Sequence, residues 1–97
     1  MKLGRFTKTP VERKRYSIDY ADWLDTDETV TAVTFGVTPS TDNMLEVDAY
    51  LISTPATSVV YFVNFGAAGT TYTLDIQITT SGGQTKEDQV LYSVRDL

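Results

Sequence analysis

From Thr29 onward the chain alternates apolar and polar positions with a period of two, the pattern of half-buried strands. In TVTAVTFGV, Thr29 to Val37, the side chains of Val33, Phe35 and Val37 share one face, with Thr34 on the other. Thr38 to Asn43 (TPSTDN) reads as a turn-forming loop. MLEVDAYLI, Met44 to Ile52, predicts a strand with Leu45, Val47, Ala49 and Leu51 on one face and Glu46, Asp48 and Tyr50 on the other. Ser58 to Phe65 is apolar on both faces, as expected of a central strand or of an edge covered by another subunit. Thr70 to Thr80 points Tyr72, Leu74, Ile76 and Ile78 inward and Thr73, Asp75 and Gln77 outward. After the turn residues Ser81-Gly82-Gly83-Gln84, Glu87 to Val94 returns with Val90, Tyr92 and Val94 inward. No stretch keeps a helical period for more than about a turn. Short strands separated by turn signals predict an all-β fold, a two-sheet antiparallel immunoglobulin-like sandwich.

The first fifteen residues break this pattern and are distinguished by charge. Residues 1–15 hold six of the eight basic side chains and one acid, a net +5, whereas residues 16–97 carry two bases and twelve acids. The expected division is a basic extended N-terminal arm, residues 1–15, on an acidic sandwich, residues 16–97. Three fates are open to the arm: a solvated tail, docking on protein, or contact with a phosphate backbone. The negative body would repel a duplex, so nucleic acid is the least favoured. An arm ordering on the acidic body of a neighbouring copy would use Lys2, Arg5, Lys8, Arg13, Lys14 and Arg15, with Leu3, Phe6 and Val11 as apolar anchors. Deleting it should leave a folded body. Tyr50, an aromatic beside Glu46 and Asp48, is a further candidate for partner binding.

Composition narrows the chemistry. Cysteine and histidine are absent, which removes thiolate nucleophiles, disulfides, the usual zinc ligands and any imidazole-based triad. Lys14 and Lys86 have no nucleophile partner at a recognisable spacing. The start has no apolar stretch of the kind that follows the charged residues of a signal peptide, and the longest apolar run, Val59 to Val63, is too short to span a bilayer. No catalytic residue, cofactor, metal or membrane partner is expected.

The acidic stretch KRYSIDYADWLDTDETV, residues 14–30, contains the only tryptophan. Asp19, Asp22, Asp25, Asp27 and Glu28 are close enough in sequence to ligate a hard cation, but the spacing and glycine of an EF-hand loop are missing. A glycosidase would need two carboxylates across a cleft for which so short a chain has little room. The simpler account places Tyr16, Ile18, Tyr20, Trp23 and Leu24 against the core while Asp22 and Asp25 accept backbone N–H groups in turns. An alternative function uses Asp22, Trp23 and Asp25 as a glycan-binding site, which requires an exposed indole. Gly66 to Gly69 lacks the lysine and following helix of a phosphate loop. Tyr72, after that short loop, is positioned to clamp a corner through its hydroxyl.

The run YSIDYADWLDTDETV, the strand with Phe35, and ATSVVYFVNFGAAGTTYTLDIQITTSGGQTKEDQVLYSV together resemble small structural proteins encoded in the virion gene clusters of tailed phages and prophages. The matching positions are Asp22, Trp23 and Val30, then Gly66, Gly69, Thr70, Tyr72, Leu74 and Ile78. They continue through Thr79, Thr80, Ser81, Gly83, Thr85, Glu87 and Leu91. The likeness covers residues 16–94, and the long basic start departs from the shorter starts of that family. It implies a non-enzymatic immunoglobulin-like adaptor or decoration module of the virion, binding other phage structural proteins at the head, portal or tail. It also implies a homo-oligomer within the particle.

Overall fold

The computed structural model describes residues 2–96, with Lys2 described by its backbone alone. Seven strands form: β1 (Lys2–Lys8), β2 (Lys14–Asp19), β3 (Val30–Thr38), β4 (Glu46–Ile52), β5 (Ser58–Asn64), β6 (Thr71–Thr80) and β7 (Thr85–Val94). One sheet has the order β1-β7-β6-β3 and the other β2-β5-β4. The fold is an all-β, two-sheet sandwich. It is not antiparallel throughout, because β1 runs parallel to β7.

The inward side chains of the alternating segments make the core. Tyr72, Leu74, Ile76 and Ile78 of β6, Val90, Tyr92 and Val94 of β7, and Val59, Tyr61 and Val63 of β5 are all buried. Each such side chain stabilises the fold by about 1.5–3 kcal/mol relative to exposure. β5 is apolar on both faces because it lies in the middle of its sheet, between β2 and β4. A hydrogen bond between the Tyr61 and Tyr92 hydroxyls, 3.0 Å, links the two sheets through the core. Burial pushes the pKa of both phenols up.

Residues 2–8 are not an arm outside the sandwich. They pair with β7 from Gly4↔Val90 to Lys8↔Val94, and Lys14 and Arg15 already belong to β2. The ring of Phe6 lies 4.8 Å from that of Tyr16 and 5.7 Å from that of Tyr92. Without β1 the outer edge of β7 would be unpaired, so the basic segment satisfies its own chain first.

The corner between β5 and β6 is clamped as the position of Tyr72 predicts: its hydroxyl accepts the Ala67 N–H at 2.8 Å. Gly66 turns this corner at φ +111°, and a Cβ there would lie 2.7 Å from a methyl of Val94.

Candidate partner-binding surfaces

The basic side chains near the N-terminus have different fates. Arg5, Lys14 and Arg15 are exposed. Lys8 is only 2 % exposed and its amine donates to the carbonyls of Thr9 and Phe65. Burial lowers its pKa, against the opposing pull of Glu12. Lys8 is therefore an internal anchor and not a surface cation. Arg13 forks onto Asp48, with Nε 2.8 Å from Oδ2 and Nη2 2.9 Å from Oδ1, and its guanidinium lies 4.3 Å over the Phe62 ring. Asn64 donates to the same carboxylate at 3.1 Å. The Arg13 hydrogen bonds hold the Asp48 carboxyl below its ordinary range. For Arg13, the pairing with an acidic body is made within its own chain. The side chain of Lys2 lies outside the described residues.

Two side edges of the sandwich carry exposed apolar groups. At the first, β1 and β2 flank a cleft of about 160 Å³ lined by Leu3, Phe6, Tyr16, Ser17, Ile18, Tyr61 and Val90. Leu3 and Phe6 are each 40 % exposed there. The Lys14 amine lies 5.8 Å from the Tyr16 ring at the same edge. At the opposite edge β3 meets β4, and Tyr50 packs on Phe35 with ring centres 5.5 Å apart while staying 56 % exposed.

Tyr50 does not share the outward face of Asp48. β4 has an irregularity between Val47 and Ala49, so Asp48 has no partner on β5 and the alternation reverses beyond it. Tyr50 then stands opposite the buried Tyr61, on the inward side at the rim, and Leu51 turns outward, 64 % exposed. A row of rings crosses the sandwich as a result: Phe6, Tyr16, Tyr61, Phe35 and Tyr50, with neighbouring centres 4.8–5.7 Å apart.

The acidic stretch is a loop organised by Glu28, which is buried. Its carboxylate accepts the Asp25 N–H at 3.0 Å, the Thr80 hydroxyl, and the Gln84 side-chain amide at 3.0 and 3.1 Å. These bonds tie the β2–β3 loop to the β6–β7 turn. Led by Thr80 and the Asp25 N–H, they pull the Glu28 pKa down. A Cβ at Gly82 would lie 2.5 Å from Glu28 Oε2, so a larger residue there would have to displace this carboxylate. Among the described residues no group of three or more acids is placed to hold a metal ion. Trp23 packs partly buried against the core with the Lys86 amine 5.8 Å from its ring. Asp22 and Asp25 are exposed and the Trp23 indole is half-buried, where a glycan site calls for an exposed one. The organising role of Glu28 and the exposure of Leu51 and Phe65 escape the sequence reading. A threonine-and-glycine turn facing an acidic loop is a weak signal for the first, and the β4 bulge leaves none for Leu51.

No curated protein matches the chain in sequence. A similar solved structure is that of the 2,6-sialyltransferase of Photobacterium sp. JT-ISH-224 (Vibrionaceae), in complex with CMP and lactose. Its TM-score is 0.53 at 9 % identity, over 98 % of this chain and 17 % of that one, which is a likeness of fold. The chain thus spans under a fifth of that protein. The family model described as podophage GP4 fiber-tail adaptor protein gp77 matches residues 8–93. With most of its length matched, the chain belongs to the Gp77 family of phage fiber-tail adaptor proteins and is a structural component of the virion.

Proposed function

We propose that the protein is an immunoglobulin-like module that joins a fiber to a tail by protein contacts at its two side edges, in several copies per particle. The strand order, with the last strand beside the first in parallel, and the corner tyrosine both support the immunoglobulin-like class. The observation that carries the function is the row of rings that ends in an exposed aromatic at each of two opposite edges, Phe6 and Tyr50. An adaptor needs two faces, and buried aromatic anchors are what protein interfaces use. At the first edge Leu3, Phe6, Arg5, Lys14 and Arg15 form the contact; at the second, Tyr50 does so.

Two variants test each edge separately. Leu3→Ala with Arg5→Glu alters the first and Tyr50→Ala the second, all at exposed positions whose loss costs the fold about 1 kcal/mol or less. Each should lower the number of copies recovered in purified particles while the melting temperature falls by no more than about 4–8 °C. Normal recovery of both variants would defeat the two-edge reading.

A further inference from the structure

The four edge strands of the sandwich are β1 and β3 in one sheet and β2 and β4 in the other. Three of them carry an extra residue that breaks the ladder. The irregularities lie at Lys2/Gly4 in β1, at Val30/Ala32 in β3 and at Val47/Ala49 in β4. Such bulges disrupt the edge and hinder pairing with another strand. β2 has none: its six residues pair with β5 one for one, from Lys14↔Val63 to Asp19↔Ser58. It contains no proline, and among the described residues it is paired along one side only. A regular edge in a fold that guards its other three is a candidate for strand addition.

The chemistry around this edge selects the strand. A chain laid beside β2 places alternate side chains toward the cleft of Leu3, Phe6, Tyr16, Ile18 and Val90, which is apolar and open at its rim. Arg5, Lys14 and Arg15 are exposed on the two flanking strands, against Asp19 alone among the acids there. Charge on an edge strand repels like strands and admits opposite ones.

We propose that β2 is the docking edge for an extended, acidic segment of a partner protein of the particle, which adds to the β2-β5-β4 sheet and seats an apolar side chain in that cleft. The inference rests on the adaptor reading and names the mode of one of its contacts. It goes beyond complementary surfaces, because the main chain of β2 itself supplies hydrogen bonds to the partner.

Amide hydrogen exchange on the full chain, free and within purified particles, tests the proposal. The β2 amides that face away from β5 should slow by about tenfold or more on assembly. The double variant Lys14→Glu, Arg15→Glu should melt as the native protein does and enter particles about tenfold less well. Native protein that is incorporated with unchanged β2 exchange overturns strand docking and leaves the adaptor reading intact. Failure of the native chain to enter particles overturns both. Slowing that already occurs in a concentrated solution of the isolated chain assigns the edge to a second copy and overturns the acidic partner. So does undiminished incorporation of the charge-reversed variant.

Discussion

Tyr72 and Glu28 each hold a loop by accepting hydrogen bonds, and their different chemistry gives different tests. Tyr72 takes a single backbone N–H, from Ala67, at the β5–β6 corner. In Tyr72→Phe the ring still fills its buried site while the N–H loses its acceptor, which costs about 1–2 kcal/mol. Urea denaturation should show a lower midpoint with an unchanged slope. Glu28 is a titrating anchor whose folded pKa lies below its ordinary value of 4.5. A carboxylate with a depressed folded pKa stabilises fully above the ordinary value, and the contribution fades as pH falls through the folded one. Protonated Glu and Gln are alike in shape and charge. The stability gap between native protein and Glu28→Gln should therefore be widest near neutral pH and narrow as pH falls below about 4.5. Thermal melts at a series of pH values measure that gap; one that stayed constant to pH 3 would remove Glu28's charge from the account.

At the scale of the element, strands β3 to β7 are legible because their alternation carries both the period and the choice of face. Val33, Leu74, Ile76, Ile78, Val90 and Tyr92 all lie inward as patterned. The pattern misleads where a residue is added. Asp48 shifts the register of β4 by one, which sends Tyr50 inward and Leu51 out although nothing in EVDAYLI marks the break. β2 does alternate, with Tyr16 and Ile18 against Arg15, Ser17 and Asp19. The sequence sets Tyr16 and Ile18 against the core, but the charge of Lys14 and Arg15 assigns the strand's first two residues to the arm. β1 hides more completely: with a bulge at Leu3, a glycine and three basic side chains, it has only Phe6 to mark its inner face. The candidate contact residues fared similarly. Arg5, Lys14 and Arg15 are exposed as expected, whereas Lys8 and Arg13 are engaged within the chain. Because β1 covers the β7 edge, removing residues 1–8 does more than shed a tail. Loss of the Phe6 and Leu3 burial and of the Lys8 anchor should lower stability on the order of 2–4 kcal/mol. Calorimetry of the truncated chain checks this, and an unchanged melting temperature would return the segment to the status of a free arm.

The molecule as a whole measures 44 × 20 × 19 Å, a rod with its loops at the two ends and its partner edges along the sides. Three facts bear on whether such rods associate by themselves. The net charge of −5 makes copies repel at low salt. Three of the four edges are bulged, which limits edge-to-edge pairing. Lys8 and Arg13 of the basic segment are already engaged on their own chain, which leaves, among its described side chains, only Arg5, Lys14 and Arg15 to reach a neighbour's acidic body. Among the described residues the exposed large apolar groups are Leu3 and Phe6 at one edge, Tyr50 at the other, Leu51 on the outer side of β4, and Val11 and Phe65 in loops. So dispersed, they do not make the broad apolar face of an obligate oligomer. The isolated chain should then have the mass of a single copy by light scattering, both at low salt and at about 0.5 M, where screening is short-ranged. Several copies would be held in the particle by the partners they bridge, with no need of contacts between copies. An oligomer that falls apart at the higher salt would instead mean that basic segment and acidic body do meet between copies. One that resists salt would place an apolar self-contact on an edge that the adaptor reading assigns to a partner.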